Sequence, residues 1–100
     1  MAKGYWIARL DVTDQDKYDA YRLLNGAAFK KYGARFLVRG GEFELREGAA
    51  RSRNVVIEFP SFQAARECYD SPEYREAKAA RENAADIDAI IIEGYDGPQP

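Results

Sequence analysis

The sequence predicts an α+β fold in which a β-α-β-β-α-β chain forms an antiparallel sheet with two helices on one face. Three observations predict it. Four short segments are rich in branched and aromatic residues, and two longer stretches carry apolar residues at helical spacing. The 100-residue length is close to minimal for that order of elements. It leaves room for a single core, expected over residues 3–95. Residues 96–100 form a flexible tail, because Gly97, Pro98 and Pro100 extend neither a helix nor a paired strand. At 46% hydrophobic and 32% charged residues, the chain is too apolar for disorder.

Tyr5 to Leu10 opens as a strand, aromatic and branched at its start and ended by Asp11. A helix follows from Thr13 or Asp14, either of which can cap free amides, with Asp16 favouring the positive end of the helix dipole. Tyr18, Tyr21, Ala28, Phe29 and Tyr32 form its apolar stripe, and Gly33 suits a left-handed C-terminal position. Asn25-Gly26 weakens the middle, Gly costing about 1 kcal/mol relative to Ala, so a kink or a two-piece helix is expected. The second strand runs from Ala34 to Arg39 and resumes over Glu42–Arg46, with Gly40-Gly41 as a bulge or kink between. Val55–Phe59 is the third strand, stopped by Pro60. The second helical stretch starts at Ser61 and restarts at Ser71-Pro72, a cap followed by proline at the first helical position. Its stripe is expected to reach about Ala85, and Asp88–Glu93 closes the chain as a fourth strand. This order is that of a ferredoxin-like sandwich.

Alternation along the strands separates two faces. Trp6, Ala8, Leu10, Phe36, Val38, Val55, Ile57, Phe59, Ile90 and Ile92 carry no charge and are expected under the helices. The other set is Tyr5, Ile7, Arg9, Arg35, Leu37, Arg39, Val56, Glu58, Ile91 and Glu93. Its aliphatic members form a patch larger than a solitary domain usually exposes. Covering Ile7, Leu37, Val56 and Ile91 is worth roughly 6–12 kcal/mol per subunit. That outweighs the cost of desolvating charges where Arg9, Arg35 and Arg39 find Glu58 and Glu93. A homodimer closing through the non-helix face of the sheet is therefore expected.

Composition narrows the chemistry. Zero histidines remove a His-ligated haem or zinc, a Ser-His-Asp triad and a Cys-His pair. One cysteine forms no internal disulfide. Fifteen Lys and Arg against seventeen Asp and Glu give a net charge of −2, too little cation for a general nucleic-acid or anionic-membrane binder. Glu58 sits in the third strand, where an RNA-recognition module of this outline needs base-stacking aromatics. No signal peptide or membrane span is visible, so a cytoplasmic location and no membrane partner are expected. Asp14, Asp16 and Asp19 read as caps and dipole partners, while Glu42, Glu44 and Glu47 read as the wet side of a hairpin. No metal site is expected from either group. Gly40-Gly41 lacks the spacing of a phosphate-binding loop.

Several blocks carry a resemblance. They are Lys3-Gly4-Tyr5-Trp6, Tyr32 through Gly41, Glu58-Phe59-Pro60-Ser61, Ser71-Pro72-Glu73-Tyr74 and Arg81. In this order, over about residues 3–95, they resemble the bacterial domain-of-unknown-function family numbered thirteen-thirty. The resemblance implies the dimeric α+β barrel group, whose members include cofactorless monooxygenases, muconolactone-isomerase-like enzymes and haem proteins such as chlorite dismutases. The family itself implies no reaction. Ala34 stands where many members carry a second glycine, a departure that touches no chemistry. The proximal histidine of the haem branch has no counterpart here.

Two constellations are candidates for ligand binding. Arg35 and Arg39, with Arg9, Glu58 and Glu93, could grip a small organic anion inside a barrel through paired hydrogen bonds. The plainer reading has them neutralise one another across the dimer and set its register. Tyr69, Tyr74 and Arg81 lie on or beside the second helical stretch, where relatives keep a cleft between helices and sheet. There the tyrosines would stack on an aromatic substrate while Arg81 orients its charge. As core, the same tyrosines would simply send their hydroxyls to the surface. Trp6, Tyr18, Tyr21, Phe29 and Tyr32 read as packing, and Cys68 as a small buried hydrophobe. No catalytic residue is assigned and no cofactor is expected. Oxygenation or isomerisation of a small organic acid or activated carbonyl compound stands beside a non-catalytic binding or scaffolding role.

Overall fold

A computed structural model describes residues 2–100. The elements are β1 (Gly4–Val12), α1 (Gln15–Lys31), β2 (Arg35–Arg39), β3 (Arg53–Phe59), α2 (Phe62–Asp70), α3 (Pro72–Ala80) and β4 (Ala85–Glu93). The strands lie in the order β2-β3-β1-β4, every neighbour antiparallel. The helices cover one face, burying Trp6, Leu10, Val55, Ile57 and Phe59 against Tyr18, Tyr21, Ala28, Phe29, Ala65, Cys68, Tyr74 and Ala77. The fold class is the expected α+β, ferredoxin-like one, with the second helical stretch split into two helices. No helix among the described residues is long and apolar enough to cross a membrane.

Side-chain oxygens begin all three helices. Asp14 accepts from the Lys17 amide, Ser61 from Ala64 and Ser71 from Tyr74, with Pro72 opening α3. Gly33, at φ +71°, follows the end of α1. The kink expected at Asn25-Gly26 does not form, and α1 is continuous. Gly26 faces open space while Asn25, Ala28 and Phe29 are buried, so packing along the buried side carries the helix through its weak residue. The last helix stops at Ala80 rather than near Ala85. Arg81–Ala84 instead form a tight turn containing Asn83 at φ +62°. The buried Ala84 carbonyl takes the amides of Thr13 and Asp14 at 2.7 and 3.0 Å, tying this turn to the start of α1.

Two strands depart from the expected alternation. In β4, Ile91 pairs with Trp6, Ala89 with Ala8 and Ile87 with Leu10, so these three face the helices. Ile90 and Ile92, expected in the core, pair with Ile7 and Tyr5 on the open face and are 54% and 44% exposed. In β2, the register shifts between Phe36 and Val38, making Leu37 the extra residue of a bulge. Val38 therefore comes opposite Val56 on the open face, and Arg39 comes opposite Val55 on the helix side, the reverse of the expected placement. No strand forms over Glu42–Arg46: residues 40–50 are exposed and irregular.

After these corrections the open face is more apolar than anticipated. One row across all four strands reads Val38, Val56, Ile7, Ile90. A second reads Arg35, Glu58, Tyr5, Ile92, with the Tyr5 hydroxyl donating to Glu58 at 3.4 Å. At the far end, Asp88 receives Arg9 at 3.9 Å and Arg51 at 2.8 Å, and Arg51 also reaches Asp11 at 3.0 Å.

Candidate functional site

The helix side of the sheet is not completely filled. The row Arg39, Val55, Ala8, Ala89 crosses the sheet with two alanines side by side on β1 and β4. Their short side chains leave space that the flanking Trp6–Ile91 and Leu10–Ile87 rows do not. A cavity of about 320 Å³ lies there, between sheet and helices. Trp6, Phe29, Phe36, Val55, Ile57, Ile87 and Ile91 give it an apolar wall. Tyr18, Tyr21 and Asn25 line it from α1, and Tyr69 and Tyr74 from α2 and α3.

Four arginines line the same cavity, Arg22, Arg39, Arg53 and Arg81, and no carboxylate does. None of the four makes an ion pair among the described residues. Arg22 and Arg39 are exposed at its rim, with the Arg39 guanidinium 4.1 Å from the centre of the Phe36 ring. Arg53 and Arg81 are partly buried, and each keeps a sealed Nε without a hydrogen-bond partner. Gly40 makes room for Arg53. Its φ is +72°, and a side chain there would run into the Arg53 guanidinium.

A row of tyrosines runs through the site. Tyr18 and Tyr21, one turn apart on α1, have ring centres 5.4 Å apart. The Tyr21 and Tyr74 hydroxyls share a hydrogen bond at 2.8 Å, and Arg81 donates to the Tyr74 hydroxyl at 3.4 Å. Arg81 also lies 5.1 Å from the centre of the Tyr21 ring. Burial pushes the Tyr18 hydroxyl above its ordinary pKa, the Tyr21 hydroxyl adding to the rise, while Arg53 and Arg22 pull the other way. Burial, with Tyr21 beside it, raises Tyr74 as well. Both tyrosines are therefore neutral donors near neutral pH, not phenolate bases. Trp6 gives its ring nitrogen to the Ala65 carbonyl at 2.8 Å and packs edge-on against Phe29, Tyr69 and Tyr74, holding the apolar wall in place.

The eight residues of the two constellations divide between the two faces: Tyr74 lines the cavity, Arg9 lies on the open face, and Glu93, expected there, comes opposite Gly4 in the helix-side register. Arg39, Tyr69 and Arg81 come together at the cavity. Arg35 and Glu58 stand opposite one another on the open face, away from it. Cys68 is fully buried, and burial pushes its thiol up to about 12. Sequence reasoning missed Arg22, Asn25 and Arg53. Arg22 lies four residues after Tyr18, at the edge of the buried stripe of α1. Arg53 lies two before Val55, so alternation alone puts it on the helix side.

Over residues 3–95 the sequence matches the family described as Domain of unknown function (DUF1330). The chain belongs to the DUF1330 family. No curated protein matches it. Among solved structures, it is similar to a protein of unknown function from Rhodopseudomonas palustris at 22% identity and a TM-score of 0.74, covering 96% of this chain and 85% of that one. It is also similar to SnoaB, a cofactor-independent oxygenase from Streptomyces nogalater, at 14% identity and a TM-score of 0.61, covering 100% and 97%. A dimeric protein of unknown function with a ferredoxin-like fold from Bacteroides fragilis matches at 11% identity and a TM-score of 0.59, covering 91% and 95%. At these identities the solved structures show the fold of this DUF1330 chain and nothing of its chemistry.

Proposed function

We propose that the chain is a homodimer whose cleft binds a small, flat, largely apolar organic anion and supports cofactor-independent oxygenation or isomerisation of it. One observation carries the binding reading: four arginines and no acid surround an apolar cavity, two of them with buried guanidinium atoms still lacking an acceptor. The aliphatic row Val38, Val56, Ile7, Ile90 supports pairing through the open face, as does the dimeric character of the Bacteroides fragilis neighbour.

The chemistry follows from what the lining can do. Arginines beside a bound phenol or enol lower its pKa and hold the resulting anion. Reprotonation of that anion at another carbon is an isomerisation. In oxygenation, the anion of an activated methylene gives its electrons to dioxygen. One oxygen atom stays as the new carbonyl and the other leaves as water with the two hydrogens the carbon loses. The likeness to SnoaB, a cofactor-independent oxygenase, supports this course. A non-catalytic binding role is the second reading. It is favoured by the lining's lack of any carboxylate and by tyrosines whose burial keeps them protonated.

Titration calorimetry with 2-naphthoate and 2-naphthamide tests the first claim. The acid is expected to bind at least about tenfold more tightly than the amide. Equal affinities would refute the anion site. An oxygen electrode then divides the two roles: uptake with an enolisable tricyclic ketone supports catalysis, and its absence despite binding supports the binding role.

A further inference from the structure

We infer that the natural ligand of the cleft is a dianion, a flat organic molecule with acidic groups at two separated positions. This rests on the anion-binding reading above and deepens it. Arg53 and Arg81 each leave Nε buried and without an acceptor, and the two bear on different tyrosines. Arg53 comes from β3, beside Gly40, and bears on Tyr18. Arg81 caps the end of α3 and bears on Tyr21 and Tyr74. The Tyr18 and Tyr21 rings that they bear on have centres 5.4 Å apart.

A buried donor without a partner carries a desolvation cost that only an acceptor removes. A single carboxylate held by Arg81 leaves the Arg53 Nε as it was, and the reverse is equally true. Charge points the same way. The lining brings four cations and no anion, so a monoanion leaves most of their mutual repulsion in place inside a partly apolar cavity. A second acidic group, a carboxylate, phenolate or enolate, answers both the remaining donor and the remaining charge. The apolar wall of the same cavity fits an aromatic spacer.

The test compares 2,6-naphthalenedicarboxylate with 2-naphthoate, which share a ring body, by calorimetry on the wild-type protein. The dianion is expected to bind at least about tenfold more tightly. Arg53→Met and Arg81→Met should each bring the dianion down to the affinity of the monoanion. Arg53→Lys, which keeps the charge and loses the Nε donor, should retain part of the difference and serves should the methionine variant fail to fold. Equal affinities for the two acids in the wild type would overturn the dianion inference while leaving the anion site standing. Failure of both acids to bind would overturn the two together.

Discussion

On the open face of the sheet, Arg9 and Arg51 lie between 2.8 and 3.9 Å from Asp88 and Asp11, while on the helix side Arg53 and Arg81 meet no carboxylate among the described residues. The first group is self-sufficient. Its charges are exposed or half-buried, neutralise one another and also fix the loop at Ser52, whose amide donates to Asp11 at 2.8 Å. The second group is incomplete, with donors sealed from water and nothing to receive them. The same residue type thus performs two tasks, and where the acids lie separates them. Asp11 and Asp88 are both on the open face, leaving the cleft positive in a chain whose net charge is −2.

Reversing the character of the open face should have the largest effect. Val56→Asp sets a carboxylate in the middle of the aliphatic row and, by symmetry, does so twice in a dimer. The dissociation constant of the dimer should rise more than about a thousandfold, read as a halved mass by light scattering at micromolar concentration. Arg53→Met on the other face should leave the mass unchanged. A wild-type protein of single-chain mass would remove the interface altogether.

Filling the cleft should come next. Ala8→Leu extends a side chain into the space left by Ala8 and Ala89 and should weaken 2-naphthoate binding about a hundredfold while the melting temperature holds or rises. Unchanged affinity would place the anion elsewhere. Tyr74→Phe removes the hydroxyl between Tyr21 and Arg81 and leaves a buried partner short, a loss of about 1 kcal/mol. The melting temperature should fall by roughly 4–8 °C; a fall matched by Tyr18→Phe would deny the Tyr21–Tyr74 bond any special weight. Asp88→Asn should do least, moving the melting temperature by no more than about 2–3 °C at neutral pH. The Arg51 guanidinium holds Asp88 below the usual carboxylate range, and the Ser52 amide does the same for Asp11. Their contribution is therefore present above the ordinary carboxylate pKa and lost as pH falls through the lowered values, so Asp88→Asn should flatten the loss of stability on acidification.

The sequence disclosed most of the fold and about half of the cleft, for reasons that particular residues make plain. Trp6, Leu10, Val55, Ile57 and Phe59 alternate with less buried neighbours, and Asp14, Ser61 and Ser71 mark helix starts by their chemistry. The phase of β4 was hidden because Ile90, Ile91 and Ile92 are equally apolar. Only by starting the strand at Ala85 does the outward pair Asp86 and Asp88 fix it. The bulge at Leu37 has no periodic mark, since one extra residue changes the phase without changing composition. Arg53 went unseen because the third strand was begun at Val55, and Arg22 because a charge on a helix ordinarily signifies its wet side.

That extra residue at Leu37 reaches beyond local geometry. Were β2 paired without the bulge, Leu37 would itself come opposite Val56 and Arg39 opposite Asn54, carried through the plane of the sheet from the cleft's rim to the open face beside Arg9. The bulge thus bears at once on the proposed cleft and on the proposed dimer face without altering any charge in the chain. Within this fold, a single extra residue divides the face proposed to hold a ligand from the face proposed to pair.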